Sequence, residues 1–512
     1  MTVDDATHDL PDDVIERHER IADEVLSRDS YDLLVDGEWV ASDGGERAVA
    51  RDATTGGALA EYWAGTREDV DRAVAAAKDS FEGKWGEQSP VQRGEYLEEL
   101  ADRVADEKTR LARLDSLEVG KPNKHSLFVD TTVVEDQLRY FAALARTADE
   151  GRRPPSSSDK HVYTREEPYG VVGAVGAWNF PAMFVAWKLG PALAAGNTVV
   201  YKPSSRAVLS TLALAELAND VLPPGVVNVV TGSGSTVGDA LTGHEDVRKV
   251  SLTGGATAGR KAMENAAADA TPVSLELGGK SPNIVFPDAD LDQAVEGAVV
   301  AVLFNQGQQC TAGSRLFLHE AIRDEFLEKL GARVAEVAVG DPLSPTTDVG
   351  PMVDADHADA VREYVDAARE GGATAAIEAA VPEDLAAAPF VSPVVFEGVD
   401  DDDRVAREEV FGPVLSVFEF SATDAVVERA NDTAFGLAAG VWTSDLERAH
   451  EVAADLEAGT VWVNTYNDLF DPAPHGGFKA SGIGRELSKE AMDAYRQSKT
   501  VKVSLGGIPN LG

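Results

Sequence analysis

Residues 171–202 read VVGAVGAWNFPAMFVAWKLGPALAAGNTVVYK and decide the fold class of this 512-residue chain. Residues 171–177 form a short apolar run typical of a buried strand, 182–195 have the pattern of a helix, and 198–202 form a second apolar strand. Two such strands joined by one helix are the repeating unit of a parallel sheet that is covered on both faces. The stretch therefore predicts an α/β fold.

The same alternation continues towards the C-terminus. The first series goes on with strands at 226–230, 249–253, 273–277 and 283–286 and with helices at 207–221, 235–242 and 257–268. After Gly278 and Gly279 a second series begins, with strands at 316–319, 414–420, 437–443 and 460–464 and helices at 322–337, 354–369, 422–431 and 446–456. Because ligands of such sheets bind outside the carboxyl ends of the strands, those ends are where a site is expected.

The chain outside the two series is more polar. Its predicted elements are an acidic, helical extension at 1–30, a short strand at 33–39 with a turn at Asp36-Gly37, helices at 69–81, 90–115 and 124–146, a proline-containing linker at 151–159, and a strand at 500–505. The paired prolines of the linker exclude a helix there. The last strand has no obvious partner nearby in the sequence, and it is expected to pair with another chain.

Composition limits the cellular location of the protein and the classes of partner that it can bind. No apolar run approaches the roughly 20 residues of a membrane span, and the acidic N-terminus lacks a signal pattern. A single cysteine cannot form an internal disulfide, so a cytoplasmic location is expected. The formal net charge of −42 argues against nucleic acid and anionic membranes as partners. Acidic excess along the whole chain is typical of adaptation to concentrated salt.

The only cysteine, Cys310, lies in the stretch FNQGQQCTAGSR at 304–315. A lone cysteine is often a small buried hydrophobe. Here, however, an apolar run turns polar at Asn305 and small residues surround the thiol, which allows a second molecule to approach it. The surroundings therefore favour a reactive cysteine over a merely buried one.

Several predicted strands of the first series end in polar or charged residues, which are costly to bury unless they are used. Asn179 and Lys202 follow two of these strands, Glu276 lies inside an apolar one, and Gly254 opens a turn into a helix. Each has a simpler alternative: a surface cation for the lysine, a structural carboxylate for the glutamate, and a common turn for the glycine. The nine histidines show no zinc-ligand spacing, so no metal site is predicted.

Taken together, these segments resemble the aldehyde dehydrogenase superfamily from about residue 33 to the C-terminus. The matching motifs are WNFP at Trp178, KPS at Lys202, LTGG at Gly254, LELGGKSPNIVF at Glu276, FNQGQQC at Cys310, EEVFGPV at Glu409 and GGFKASGIGRE at Gly476. The resemblance implies an aldehyde dehydrogenase-like fold of two doubly wound α/β domains and a small β oligomerisation arm. The implied parts are an N-terminal extension (1–30), a cofactor domain (31–148 and 169–279), a catalytic domain (280–480), and the arm and tail (149–168 and 481–512).

The resemblance also implies oxidation of an aldehyde to the carboxylic acid with hydride transfer to NAD(P). Cys310 would be the nucleophile that forms a thiohemiacetal and then a thioester, and Asn179 would stabilise the oxyanion together with the Cys310 backbone N–H. Glu276 would activate the water that hydrolyses the thioester. The alternatives are a coenzyme A-acylating member, which generally lacks this base, and a catalytically silent binding protein on the same scaffold.

For the cofactor, the resemblance implies ten binding residues: Trp178, Lys202, Ser205, Gly238, Gly254, Gly255, Gly259, Leu277, Glu409 and Phe411. Ser205 stands where many NAD-specific members carry a glutamate, so NADP is expected to be accepted alongside NAD or preferred to it. Gly255 replaces the usual serine, which removes one phosphate contact.

The substrate is the least specified part of the resemblance. An aldehyde tunnel is implied near Phe184, Trp187, Phe304, Leu469, Phe470 and His475. It contains no basic cluster for a dicarboxylic semialdehyde, so a small aliphatic or aromatic aldehyde is expected, with betaine aldehyde as the alternative. The arm is expected to join the C-terminal strand in a homodimer or homotetramer.

Overall fold

The computed structural model of the protein describes residues 8–149, 151–156 and 158–507. Its first large sheet has eight strands in the order Gly482–Ile483, Val273–Glu276, Val247–Thr253, Val171–Val175, Thr198–Lys202, Val227–Val229, Leu33–Val35 and Glu38–Val40. The five strands from Val273–Glu276 to Val227–Val229 are parallel to one another. This is the parallel sheet that the alternation of apolar strands and helices predicts.

Both faces of this sheet are buried. Successive side chains of each strand point to opposite faces, so each strand contributes to the packing on both sides. Val172 and Val199 pack in one apolar cluster, and Val171 and Val200 pack in a second one on the other face. The covering helices are Arg67–Glu82, Pro90–Val119, Thr131–Thr147, Pro181–Ala195, Leu209–Val221, Asp239–Thr242 and Ala256–Ala267. The sheet is therefore doubly wound.

The second large sheet has seven strands. Their order is Thr374–Glu378, Val394–Glu397, Val414–Phe420, Arg315–His319, Pro282–Val285, Ala438–Trp442 and Thr460–Val463, and only the first runs antiparallel to its neighbour. Its helices are Leu291–Leu303, Arg323–Ala335, Ala355–Glu370, Thr423–Asn431 and Leu446–Asp455. Two apolar clusters again lie on opposite faces of the sheet. The fold class, two doubly wound α/β units, is confirmed.

Smaller elements complete the described chain. They are a sheet of Ser30–Tyr31, Ala58–Ala64 and Glu46–Arg51, the strand pair Phe435–Gly436 and Phe478–Lys479, the ribbon Lys160–Pro168 and Arg496–Ser504, and the helices and single turns Asp12–Val25, Asn123–His125, Ser126–Asp130, Gly234–Gly238, Phe304–Gly307, Glu383–Leu385, Arg404–Arg407 and Ser488–Ala494. None of the helices in the described residues is both long and apolar enough to cross a membrane.

One expectation about strand partners is wrong. The strand Pro282–Val285 belongs to the second sheet, between Arg315–His319 and Ala438–Trp442, although its apolar pattern predicts the end of the first series.

The C-terminal strand Arg496–Ser504 has a partner in its own chain. It pairs antiparallel along its whole length with Lys160–Pro168, which lies in the arm that the resemblance implies. Pairing of this ribbon with another chain stays a prediction.

The acidic extension contains the helix Asp12–Val25, and residues 1–7 lie outside the described part. The helix buries His18 between two carboxylates from distant parts of the chain. The His18 ring lies with Nδ1 2.7 Å from Asp52 Oδ2 and Nε2 3.0 Å from Asp341 Oδ1. Because Asp52 follows the strand Glu46–Arg51 of the small three-stranded sheet and Asp341 precedes the helix Ala355–Glu370, the histidine links the extension to that sheet and to the second α/β unit.

Candidate active site

A cleft of about 420 Å³ opens where the strands of the first sheet end. Lys202 and Glu276 are the last residues of two strands of this sheet, Asn179 follows the strand Val171–Val175 that lies between those two, and Cys310 comes from the second series. The sequence-predicted residues that line it are Trp178, Asn179, Lys202, Ser205, Gly254, Gly255, Glu276, Leu277, Cys310, Glu409 and Phe411. Residues far apart in the sequence therefore converge at the edge of the sheet where ligands of such folds bind.

The segment before the thiol has an unusual backbone. Asn305, Gln306 and Gly307 have φ values of 49°, 57° and 74°, a left-handed conformation that only glycine adopts freely. The Gln306 side chain holds this turn by donating two hydrogen bonds of 2.8 Å, to the carbonyls of Gly120 and Pro351. A polar residue of the motif FNQGQQC thus fixes the backbone of the cysteine loop through side-chain hydrogen bonds.

The double glycine of LELGG lets the loop come close. A Cβ on Gly279 would stand 2.3 Å from the Cys310 carbonyl oxygen, and one on Gly278 would stand 2.2 Å from Glu409 Oε2. Both positions therefore need glycine for steric reasons. The same motif places Glu276 beside the cysteine and gives the cysteine loop and Glu409 room to reach it.

The electrostatics of the cleft favour the neutral thiol. Burial raises the pKa of Cys310 to about 12, and the nearby carboxylates of Glu409 and Glu276 add to the rise. The backbone N–H groups of Cys310 and Thr311 act in the opposite direction, because they favour the thiolate. The cleft therefore holds a protonated sulfur whose backbone donors are ready for negative charge.

Asn179 lies over the same loop. Its side-chain Nδ2 donates to the Gln308 carbonyl at 3.0 Å, and its own carbonyl accepts from Asn305 Nδ2 at 2.9 Å. The side chain is 3% exposed, so the amide is held in a buried position next to the residue that precedes Cys310 by two. Such a fixed amide is suited to receive charge that develops on a neighbouring oxygen.

Glu276 is buried and its Oε1 has no hydrogen-bond partner in the described residues. Burial raises its pKa well above the ordinary value, Glu486 raises it further, and Lys188 and Arg485 lower it. Gly476, with a φ of +156°, makes room for the carboxylate, since a Cβ there would lie 2.5 Å from Glu276 Oε1. The group has the desolvation that gives a carboxylate the basicity of a general base.

A buried ion pair stands behind Glu276. Lys188 Nζ donates to Glu486 Oε1, and both side chains are almost fully buried. Lys188 lies in the helix Pro181–Ala195, in which every residue is buried. A lysine inside so apolar a helix indicates a buried charge that needs a partner. That partner, Glu486, lies almost 300 residues away in the sequence, and only the fold identifies it.

The other end of the cleft is suited to a dinucleotide. The helix Ala256–Ala267 begins at Gly255, and no side chain caps its first N–H groups. A Cβ on Gly255 would meet no atom within 4 Å, so the turn is open towards the cleft. Lys202 is buried beside it and donates to the Pro203 carbonyl at 2.7 Å, and burial lowers its pKa to about 8. These groups fit a diphosphate at a helix N-terminus.

Glu409 lies between the cysteine loop and this phosphate end. Its Oε1 accepts from the Gly279 backbone N–H at 3.0 Å, and burial raises its pKa to about 7. Phe411, with a φ of 57°, lies edge-on to Trp178 at a ring distance of 5.3 Å. The carboxylate and the two rings form a wall of the cleft.

Two of the predicted cofactor glycines do not line the cleft. Gly259 lies in the helix after the turn, where a Cβ would stand 2.6 Å from Leu277, and Gly238 lies 3.9 Å by the same measure from Lys202. Gly259 therefore lets Leu277 lie close to the helix, whereas a Cβ at Gly238 would make only an ordinary van der Waals contact with Lys202.

Phe184, one of the six predicted tunnel residues, lines the cleft. Trp187 packs between Phe184 and His475, with ring distances of 5.7 and 5.6 Å, and burial lowers the pKa of His475 to about 4. Phe470 is 66% exposed, so it does not form an inner wall. In the described residues no group of three or more His, Cys, Asp and Glu side chains is arranged to hold a metal ion.

Sequence reasoning missed His357, which lines the cleft from the helix Ala355–Glu370. Its ring lies 5.3 Å from that of Trp178, and its Nε2 lies 2.9 Å from the Phe411 carbonyl. No motif marks this histidine, because it comes from an otherwise ordinary amphipathic helix.

Residues 39–501 match the model of the "Aldehyde dehydrogenase family". The chain belongs to that family. The aldehyde dehydrogenase structure from Bacillus cereus in complex with NAD+ is 38% identical, with a TM-score of 0.91 over 98% of this chain and 100% of that one. The betaine aldehyde dehydrogenase from Staphylococcus aureus, also with NAD+, is 36% identical, with a TM-score of 0.93 over 96% and 99%.

The Bacillus subtilis (strain 168) protein DhaS is 42% identical over 476 residues, which are 92% of this chain and 95% of that protein. These likenesses extend over nearly the whole chain and both sheets. The expected family, fold and class of enzyme, an aldehyde dehydrogenase, are therefore confirmed.

Proposed function

We propose that the protein oxidises a small aldehyde to the carboxylic acid with NAD(P), by way of a thioester on Cys310 that water hydrolyses. The observation that carries the proposal is the single cleft that Cys310, Asn179 and Glu276 share with the open helix N-terminus. It supports a covalent reaction next to a bound dinucleotide.

Nucleophilic attack requires loss of the thiol proton. Glu276 and Glu409 are the two carboxylates whose charges act on Cys310, and both raise its pKa. Release of the proton to solvent in the open cleft leaves a thiolate next to the backbone N–H groups of Cys310 and Thr311. The Asn179 amide and the Cys310 N–H then stabilise the oxyanion that forms when sulfur bonds to the carbonyl carbon.

A bound nicotinamide supplies the acceptor for the hydride. The protein's own part is to hold it: the helix N-terminus at Gly255 and Lys202 suit the diphosphate and the adenosine end, and Glu409 suits the ribose near the cysteine. The neighbours of known structure that bind NAD+ support a nicotinamide cofactor for this chain.

Hydrolysis distinguishes this enzyme from one that transfers the acyl group to coenzyme A. Glu276, once deprotonated, removes a proton from water as the water oxygen attacks the thioester carbon, and the thiolate leaves. The buried, unpartnered Oε1 of Glu276 supports this role. A silent binding protein would have no use for a desolvated base beside a thiol.

NADP is proposed as a second cofactor because position 205 carries a serine. The Ser205 carbonyl accepts from the Tyr62 hydroxyl at 3.1 Å, and the residue lines the cleft without adding a negative charge. The absence of a carboxylate removes repulsion against a 2′-phosphate. The next residue, Arg206, supplies a positive charge.

Some expectations from composition and resemblance stay predictions. They are the division into domains at 31–148 with 169–279 and at 280–480, the arm at 149–168 with 481–512, the cytoplasmic location, adaptation to salt, and assembly into a homodimer or homotetramer. The paired ribbon Lys160–Pro168 and Arg496–Ser504 supports the arm.

The test is a panel of aliphatic and aromatic aldehydes with betaine aldehyde, assayed with NAD and with NADP, with and without coenzyme A. We expect the free acid as product, activity with both cofactors, and loss of at least a thousandfold in Cys310→Ala. An acyl-coenzyme A product, or activity that survives in Cys310→Ala, would contradict the proposal.

A further inference from the structure

An ion pair joins the two α/β units beside the cleft. Arg206 follows the strand Thr198–Lys202 of the first sheet, and Asp354 begins the helix Ala355–Glu370, which packs on the second sheet. Arg206 Nε lies 3.0 Å from Asp354 Oδ2. In the described part of the chain, Asp354 is the only acidic residue paired with this arginine.

The arginine belongs to the wall of the cofactor cleft. Arg206 and its neighbour Ser205 both line the cleft, and the guanidinium carbon lies 5.9 Å from the centre of the Trp178 ring. The guanidinium carries five N–H donors in a planar fork, which suits a phosphate as well as a carboxylate. One donor faces Asp354, and because the fork is planar and rigid this contact fixes the direction of the whole guanidinium.

Asp354 is held more firmly than its partner. Its Oδ1 accepts the backbone N–H of His357 at 2.8 Å and so caps the helix. His357 is in turn fixed against the Phe411 carbonyl, at 2.9 Å. The long arginine side chain is therefore the movable member of the pair, and Asp354 is the fixed one.

The pair is weak enough to be exchanged. The side chains of Arg206 and Asp354 are 39% and 37% exposed, and ion pairs of that exposure are screened by water. A 2′-phosphate of an adenosine ribose carries more charge than one carboxylate and presents three oxygens. It would compete with Asp354 for the same guanidinium.

We propose that Asp354 sets the discrimination between NADP and NAD by holding Arg206 away from the 2′-phosphate. The inference rests on the cofactor cleft of the proposed function and goes beyond it, because it assigns selectivity to a residue of the second α/β unit and not to Ser205 alone. Asp354 acts through Arg206 and is a positioning residue.

Binding of two nucleotides without aldehyde tests the proposal. Adenosine 2′,5′-bisphosphate and 5′-AMP differ only in the 2′-phosphate, and calorimetry gives their dissociation constants for the wild type, Asp354→Asn, Arg206→Gln and the double variant. Asparagine keeps the capping oxygen, so the helix start is preserved. The titrations use the lowest salt in which circular dichroism shows all four proteins folded.

We expect Asp354→Asn to bind the bisphosphate about fivefold more tightly, close to the most that an exposed ion pair contributes. The affinity for 5′-AMP should stay within twofold. Arg206→Gln should weaken bisphosphate binding, and Asp354→Asn should have no further effect in the Arg206→Gln background.

Three outcomes would overturn the inference. They are no change in Asp354→Asn, equal tightening of both nucleotides, and the same tightening in the absence of Arg206, which would indicate direct repulsion by Asp354. If neither nucleotide binds the wild type, the cofactor site of the proposed function is wrong and this inference falls with it. If 5′-AMP binds normally, only the inference on Asp354 is at stake.

Discussion

Cys310 combines a reactive role with surroundings that hold it protonated. Burial and two carboxylates raise the pKa of its thiol to about 12, whereas the backbone N–H groups of Cys310 and Thr311 favour the charged form. A thiol that ionises only during the reaction is protected from oxidation at other times. The cost is that the thiol must lose its proton before the sulfur can attack, and the backbone N–H groups offset part of that cost.

Alkylation of the free enzyme tests this description, and the single cysteine makes the readout unambiguous. Because the pKa of the thiol is raised, the thiolate is scarce at pH 8, and we expect iodoacetamide to react more than tenfold more slowly than with glutathione. The rate should keep rising between pH 9 and pH 11. Intact-protein mass spectrometry measures it.

The matched control for alkylation is Glu276→Gln, which removes one of the two negative charges near the sulfur. It should react faster than the wild type at pH 8, because the thiolate is then less disfavoured. A wild-type rate that levels off below pH 8 would show that the thiol is already ionised in the free enzyme.

Among the elements, the helix Asp12–Val25 is attached by an unusual group. The ring of His18 lies between Asp52 and Asp341, and their carboxylates outweigh desolvation and raise its pKa to about 9. The imidazolium is therefore present in the folded protein at neutral pH. Its two carboxylate partners tie the extension to the small three-stranded sheet and to the second α/β unit.

A histidine whose folded pKa lies above its unfolded value of about 6.5 stabilises the fold most fully below pH 6.5. That contribution, about 3 kcal/mol for a shift of this size, is lost as the pH rises through about 9. We expect the Tm of the wild type to fall between pH 7 and pH 9.5. His18→Gln should have a lower Tm at pH 7 and a flatter profile.

His450→Gln serves as the control, because His450 is exposed on the helix Leu446–Asp455. It should keep the wild-type pH profile of Tm. A His18→Gln profile that parallels the wild type would show that the His18 pair does not contribute in this way.

Elements with continuous apolar runs were predictable from the sequence, and the reason is burial on both sides. The strand Thr198–Lys202 was predicted with its bounds, because all five residues are buried. The strands Glu46–Arg51 and Thr374–Glu378 were missed, because almost none of their residues are fully buried and several side chains are small. Pro282–Val285 was recognised as a strand, but only its pairing shows which sheet it joins.

The candidate site was predictable where one motif contains both a functional residue and the glycine that makes room beside it, as with Glu276 and Gly278. It was not predictable where contacts join distant segments. Arg206 with Asp354, and Lys188 with Glu486, are pairs of this kind. A charged side chain in the sequence does not tell which opposite charge will face it.

For the whole molecule, the charge of −42 is the dominant feature. We expect the Tm to rise by about 10 °C or more between 0.1 and 2 M KCl, because the Debye length falls to a few Å and self-repulsion is screened. Differential scanning calorimetry measures this. Sucrose, which stabilises by exclusion without screening, is the control solute, and an equal gain in both would contradict the electrostatic explanation.

The ribbon formed by Lys160–Pro168 and Arg496–Ser504 is the part of the molecule suited to assembly. A two-stranded ribbon is marginally stable alone, and its unpaired edges favour pairing with another chain. We expect truncation after Gln497 to dissociate the assembly in analytical ultracentrifugation, whereas truncation after Ser504 should leave it intact. Identical sedimentation of both truncated forms and the wild type would exclude the ribbon as the interface.

The most direct test of the central claim is a single-turnover experiment on Glu276→Gln with a good aldehyde and NAD. We expect a burst of one NADH per active site, then turnover slowed at least a hundredfold, with the acyl group on Cys310 detected by intact-protein mass spectrometry. The wild type should accumulate no such adduct and should keep turning over. A variant that turns over at the wild-type rate, or forms NADH without an adduct on Cys310, would contradict the proposed thioester hydrolysis.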